Sequence, residues 1–284
     1  MISYANGQFI PTADVAIPID NDTAGSIRGY RIFSTALAAN GKATFAKDHC
    51  TRIIDGAKIL KIPFSLSAED LYGLLTQTIE KNPECQAPTP TIVKIILTGG
   101  KSGARIPQMI GEGQLYITVS PITMPPSTYY KEGVHLATYP YQRDLASTKL
   151  TYYIGSLLAE DTVNKINAHF PLFTTLMSPE KCLEGDTFNI FFIKDNIIYT
   201  PKADGHILNG ITRRAIIRLA SPHYKVIETD IPTSDIPSFD EAFLTSSIRK
   251  VMPVVKINAD IIGSYTPGPI TEHLSQLLTS EIGY

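Results

Sequence analysis

What this chain lacks narrows its function first. It has almost no net charge: 25 Lys and Arg against 27 Asp and Glu leave −2, with a pI near 6.3. Gripping nucleic acid or an anionic membrane through a charged face needs a basic excess, so neither partner is expected. Long apolar runs are also missing. The longest are of strand length, well short of the roughly 20 residues that span a bilayer. The first residues, MISYANGQFIPTADV, hold no basic region followed by an apolar core. No secretion signal is therefore expected, and cytoplasm is the expected location. Cysteine is scarce: Cys50, Cys85 and Cys182 are odd in number and irregularly spaced. They fit reduced thiols and offer no metal-site spacing, so no metal is expected. There is no internal repeat and no low-complexity tract.

What is present is an ordinary globular composition, 43% hydrophobic over 284 residues, enough for one large or two medium domains. The stretch from Leu183 to Arg214, LEGDTFNIFFIKDNIIYTPKADGHILNGITRR, organises the rest. Asn189–Ile193 is an apolar run of strand length, rich in β-branched and aromatic residues. Asp195-Asn196 is turn chemistry, and Ile197–Thr200 is the returning strand. Gly210-Ile211-Thr212 opens a helix that runs to Ala220. The first N–H groups of a helix have no partner within it, and they suit an anion such as a phosphate. Glu184 stands just before the first strand.

Read in order, Met1–Ile10 is a hairpin about Asn6-Gly7, and a second hairpin about Asn40-Gly41 joins Ile32–Ala39 to Lys42–Phe45. Asp48–Leu60 changes to helical spacing with Asp48 as its cap, which places Arg52 in the first turn. Ser67 caps a helix to Glu80. Strands are expected at Ile92–Thr98, Gln114–Ser120 and Gly133–Thr138, with Pro121–Pro126 as linker. The intervening Gly99-Gly100-Lys101-Ser102-Gly103 lacks the spacing of a P-loop. Lys149 precedes a helix from about Tyr152 to Ala168. Late in the chain, Ala242–Ser247 is a strand ending in hydroxyls. Taken singly, Arg52 reads as a solvated helix residue, Lys149 as a surface charge, and Ser246-Ser247 as loop filler.

Together these pieces resemble the class IV pyridoxal-phosphate aminotransferases, which include branched-chain aminotransferases, D-amino acid aminotransferases and aminodeoxychorismate lyase. The resemblance is carried by L-E-G-x-x-x-N-I-F-F-I-K-D from Leu183 to Asp195, then Y-T-P, then G-H-I-L-N-G-I-T-R from Gly205 to Arg213. His49-Cys50-Thr51-Arg52-Ile53 is similar to the family's H-x-x-R-(L/I), and the Lys149 segment to its lysine segment. What the resemblance implies is an α/β (α+β) fold of two domains, 1–120 and 127–284, with mixed sheets. The second domain would carry the cofactor lysine, and pyridoxal 5'-phosphate would lie between the two. Lys149 would be the catalytic lysine. Arg52, Glu184, Asn189, Ile211, Thr212, Ser246 and Ser247 would complete the cofactor shell. A homodimer acting on small amino acids and 2-oxo acids is implied. An aminodeoxychorismate-type lyase, or a non-catalytic cofactor binder, is the alternative.

The chemistry suits these residue types. A lysine amine must lose its proton to attach the cofactor, which burial and cationic neighbours favour. A carboxylate at the pyridine nitrogen deepens the electron sink. A guanidinium fork matches a phosphate. Where substrate would bind, the chain departs from the family. Arg28 and Ser34 stand for a Tyr and an acidic residue of the branched-chain pattern, Gly99 for a usual Arg, and Lys250 for a usual Glu. Arg28, Arg31 and Arg105 are the candidate carboxylate anchors.

Overall fold

In a computed structural model that describes residues 1–105 and 108–284, the alternating runs of the first half become the centre of an antiparallel sheet. The chain forms two units: Met1–Thr123 with Thr148–Tyr152, and Met124–Ser147 with Tyr153–Tyr284. In the first unit the elements run β1 (Ile2–Ala5), β2 (Gln8–Pro11), α1 (Thr23–Arg28), β3 (Arg31–Ala39), β4 (Lys42–Ala43), α2 (Ala46–Ile59) and α3 (Ala68–Glu80). They continue with β5 (Thr91–Thr98), β6 (Lys101–Ser102), β7 (Met109–Ile110) and β8 (Gln114–Ser120). The sheet order is β2-β1-β8-β5-β3-β4. Val93, Ile95 and Leu97 of β5 alternate onto one face with Leu115, Ile117 and Val119 of β8. There they pack on Cys50, Ile53 and Ala57 of α2 and Leu71, Leu75 and Ile79 of α3.

The start of α3 is the expected one. Ser67 Oγ accepts from Asp70 N–H at 3.1 Å while the Asp70 carboxylate accepts from Ser67 N–H at 2.9 Å, a closed capping box. The start of α2 is not. The helix begins at Ala46, after Phe45 turns the chain in the left-handed region, so Asp48 lies within the first turn and Arg52 one turn further in. The segment around Lys149 belongs with the first unit, whereas its place in the sequence put it in the second. Phe33 N–H donates to the Lys149 carbonyl (3.1 Å), Thr151 N–H to Arg31 (3.3 Å), and Ile32 bridges Leu150.

The second unit contains α4 (Thr128–Lys131), β9 (Val134–Pro140), α5 (Ile154–Lys165), β10 (Phe170–Thr174), β11 (Cys182–Gly185), β12 (Asn189–Lys194) and β13 (Ile197–Thr200). Then come α6 (Ile211–Ala220), β14 (Lys225–Glu228), β15 (Glu241–Ser246), β16 (Lys250–Ile257), β17 (Asp260–Ile261) and α7 (Pro269–Ile282). The expected helix from 152 to 168 is thus shorter, Ile154–Lys165. The strand order is β11-β10-β9-β16-β15-β12, and β11 also pairs with β12. The ring therefore closes, and the seam is the pair Glu184–Asn189. Closure removes the exposed edges that an open sheet would present. Val134, Leu136, Leu172, Ile190, Phe192, Leu244, Met252 and Val254 fill the interior. Phe191 and Phe243 point the other way and stack with centroids 4.8 Å apart, on the face that carries α6 and α7. This alternation is why NIFFI is apolar throughout: both faces of β12 are buried.

Helix α7 starts at Gly268 without a cap of its own. Glu241 of β15 supplies one: its oxygens accept from Ile270 N–H (3.0 Å), Thr271 N–H (2.8 Å) and Thr271 Oγ (2.7 Å). The side chain is buried, so Glu241→Ala strands three donors. Loss of such a cap costs about 2 kcal/mol. The expected outcome is a lower urea midpoint with an unchanged slope.

Candidate active site

In the second unit the site begins with an irregularity in β11. Leu172 pairs with Gly185 but Thr174 pairs with Cys182, so β11 carries one residue more than its partner. Such a bulge re-aims a side chain. Cys182 stays in the ring interior, Leu183 packs outside on Phe173 and Ile207, and Glu184 is presented beside it. Glu184 is 5% exposed. Its Oε1 accepts from Arg143 Nε at 3.2 Å and closely from Arg143 Nη2, and its Oε2 accepts from Leu208 N–H at 3.1 Å and Asn189 Nδ2 at 3.3 Å. The Arg143 fork also holds the Ala146 carbonyl, which ties the chain ahead of Lys149 to this carboxylate. Removing one partner of a buried pair leaves the other charge stranded, at a cost of about 3–5 kcal/mol.

Next to this carboxylate is the start of α6. Gly210 is its N-cap and no side chain closes it. A Cβ at position 210 would stand 2.1 Å from Asn189 Oδ1, so only glycine allows the helix start to approach β12 this closely. Ile211 and Thr212, whose N–H groups lack helical partners, are buried. Across the ladder Asn189 is paired with Thr245, whose hydroxyl is buried and has no hydrogen-bond partner among the described residues. Ser246 and Ser247 follow at the end of β15, where Ser246 Oγ accepts from Arg249 N–H at 2.9 Å. A buried carboxylate, an uncapped helix start and an unused hydroxyl thus share one end of the ring. This donor set fits a phosphorylated heteroaromatic cofactor: a carboxylate for a ring nitrogen, and N–H and O–H donors for a phosphate.

The first unit holds the remaining candidates. Lys149 lies along the edge of β3, with Nζ 4.8 Å from the centre of the Phe33 ring. Beside it Thr148 has a buried hydroxyl with no partner among the described residues. A Cβ at Gly56 would meet Ile32 at 2.8 Å and Thr148 at 3.7 Å, so this glycine lets α2 pack tightly against the lysine segment. Arg52 projects from α2 one turn before Gly56. One turn before Arg52, the buried His49 is held by Ser34 of β3 through Nδ1 at 2.7 Å, which sets the helix on the strand.

The proposed substrate arginines fare differently. Arg31 is already engaged: Nη2 donates to Asp22, fully buried, at 2.6 Å and to Ser26 at 3.0 Å. Its charge is spent on organising the loop, so a role for Arg31 as a substrate anchor is not supported by its position. Arg28 ends α1 exposed, and Arg105 is exposed on a turn. The absent arginine at position 99 has a steric cause. A Cβ on Gly99 would meet Ala24 Cβ and Tyr30 Cβ, both at 2.9 Å. Asn189, expected among cofactor ligands, uses its amide on Glu184 and on the Leu208 carbonyl at 2.8 Å, and so positions Glu184.

Three residues escaped the sequence analysis. Arg143 stands in YQRD, before the lysine, with nothing local to link it to Glu184. Tyr153 follows the lysine closely. Burial pushes its phenol up to about 12; Arg143 opposes this, Asp186 and Glu184 add to it, and Arg249 opposes it. Arg249 lies in the turn after Ser246-Ser247. Because the Tyr153 shift is upward, the folded state's preference for the neutral phenol is complete below pH 10, the ordinary value, and is lost as pH rises through about 12. Tyr153 is thus a proton donor across the neutral range. Subtracting the ultraviolet titration of Tyr153→Phe from that of the native protein is expected to isolate a tyrosine ionising near 12. A difference curve centred on 10 would place the phenol in water.

Comparison with known proteins places the chain in a family. Residues 31–257 match the sequence model of the family described as amino-transferase class IV. A putative branched-chain-amino-acid aminotransferase of Methanocaldococcus jannaschii is 27% identical over 283 residues, 96% of this chain and 93% of that one. A D-alanine aminotransferase of Staphylococcus epidermidis is 25% identical, with 96% and 95% covered. The crystal structure of the Escherichia coli branched-chain amino acid aminotransferase has the same fold, with a TM-score of 0.89 at 20% identity over 99% of this chain and 94% of that one.

Proposed function

Because this chain belongs to the class IV aminotransferase family, we propose that it moves an amino group between an amino acid and a 2-oxo acid with pyridoxal 5'-phosphate as cofactor. The observation that carries this reading is Glu184, a buried carboxylate held by Arg143, Asn189 and Leu208 N–H beside an uncapped helix start. When bound, pyridoxal phosphate supplies the electron sink. The chain's own residues do the rest. Lys149 would be the residue that holds the cofactor covalently, its amine serving as the proton acceptor and donor at the substrate's α-carbon. Glu184, already paired with Arg143, would face the cofactor's ring nitrogen as its hydrogen-bond acceptor. Arg52, the N–H groups of Ile211 and Thr212, and the hydroxyls of Thr245, Ser246 and Ser247 hold the phosphate. Tyr153 donates a hydrogen bond as a neutral phenol.

The donor in this reading is an amino acid with an apolar side chain, in keeping with the branched-chain and D-alanine enzymes that the chain resembles. Arg28, exposed and free of the Asp22 interaction that binds Arg31, is the first unit's candidate for its carboxylate. A homodimer is part of the proposal. Helix α5 exposes Ile154 (45%), Leu157 (70%) and Leu158 (55%), an apolar face that a second copy would cover. Three buried free thiols, and the lack among the described residues of any helix long and apolar enough to cross a membrane, are consistent with a cytoplasmic enzyme.

The test starts from protein incubated with pyridoxal phosphate. A visible chromophore is expected, and borohydride should fix the label to Lys149 in a peptide map; a label elsewhere overturns the assignment. Adding amino acids should bleach the chromophore, and a 2-oxo acid should restore it. Pyruvate released without any acceptor would instead mark the lyase. Arg52→Ala should weaken cofactor binding by about 1–3 kcal/mol, the usual cost of an unpaired charged partner. Unchanged affinity would remove Arg52 from the phosphate site.

A further inference from the structure

Of the five arginines of the second unit, three make ion pairs and Arg214 donates to the Asn209 carbonyl at 3.1 Å. Arg143 is paired with Glu184, Arg213 with Glu228, and Arg218 with Glu281. Arg249 is half-buried and has no carboxylate within ion-pair distance among the described residues. Its guanidinium lies over the Phe170 ring at 4.4 Å, and Nη1 donates to Thr187 Oγ at 2.7 Å. Its other guanidinium N–H groups make no hydrogen bond among the described residues, yet they are not sealed from solvent. Burial depresses its basicity, so the cation has given up hydration without a counter-charge in contact; Asp186 and the phenols of Tyr130, Tyr129 and Tyr153 act on it only through space. A desolvated cation of this kind is poised for an anion.

Its position says which anion. Arg249 is in the β15–β16 turn that begins with Ser246-Ser247, and Ser246 fixes its backbone. Thr187, which orients the guanidinium, is in the β11–β12 turn directly after Glu184. The charges on Arg249, Arg143 and Glu184 all act on Tyr153. Of the groups proposed for the phosphate, Ser246 and Ser247 border this turn, while the helix start at Gly210–Thr212 lies against Asn189. We propose that Arg249 is a specificity-determining residue that binds a carboxylate of the substrate, either the α-carboxylate common to all amino acids or the second carboxylate of a dicarboxylic 2-oxo acid acceptor. This rests on the aminotransferase reading for its substrate class, and it gives the second unit an anchor independent of Arg28.

The experiment measures binding of unreactive acids by calorimetry to protein loaded with pyridoxal phosphate. Butyrate, succinate and the uncharged butyramide are compared on the native protein, Arg249→Gln and Arg249→Lys. In Arg249→Gln, carboxylate affinity is expected to fall roughly ten- to a hundred-fold, while butyramide changes little. Arg249→Lys, which keeps the charge but not the fork, should fall in between. Loss of both acids assigns the α-carboxylate, and loss of succinate alone assigns the second carboxylate. Equal binding by Arg249→Gln, an equal loss for butyramide, or no carboxylate binding by the native protein overturns the proposal. If Arg249→Gln does not fold, Thr187→Val, which frees the guanidinium from its hydroxyl, reads the same point with a smaller change in the same direction. Amino transfer measured in parallel separates the two ideas. Native protein that binds acids through Arg249 but transfers nothing sinks the function alone. Native protein that transfers normally while Arg249→Gln keeps its carboxylate affinity sinks the anchor alone.

Discussion

A carboxylate taken out of water must be met by donors on every side, and Glu184 is. Two of its donors come from Arg143, one from Asn189 and one from the backbone of Leu208. Each constrains a different part of the second unit. Arg143 fixes the loop ahead of the lysine, Asn189 fixes the seam where the strand ring closes, and Leu208 fixes the loop that leads into α6. The bulge in β11 makes this possible by turning Glu184 out of the apolar interior. Without it, the same residue would face the hydrocarbon core, where a carboxylate is intolerable.

The first unit uses the same device for another purpose. Asp22 is fully buried and gathers Arg31, Ser26 and the N–H of Gly100 (3.1 Å), so one carboxylate binds the segment around α1 to the glycine loop. Each unit therefore holds cations of two kinds. Arg31 and Arg143 are structural partners of buried carboxylates. Arg28 and Arg249 have no such partner among the described residues, which leaves them available for an external anion.

Much of this was legible in the residues. The apolar run at Asn189–Lys194 is a strand buried on both faces, the capping box at Ser67 starts α3 where expected, and Gly210 opens α6. Local chemistry decides each of these, so local reading finds them. The start of α2 was misplaced because Asp48 is a better cap on paper than Phe45. Ala46 itself packs on the core, which takes the helix start back to it. The resemblance named Lys149 and Glu184 by their motifs. Arg143, Tyr153 and Arg249 have no motif. Arg143 reaches Glu184 over a long loop, and Arg249 reaches Thr187 from a different strand pair. Such partnerships exist only once the ring has closed.

Any side chain at position 99 collides with Ala24 and Tyr30, and the Gly99 N–H is held by the Tyr30 carbonyl at 2.7 Å. An arginine at this position and the present course of the segment around α1 are mutually exclusive. Restoring an arginine there would therefore require the segment around α1 to shift. The loop and the glycine are one steric unit, and a designer who wants the arginine back must replace both together.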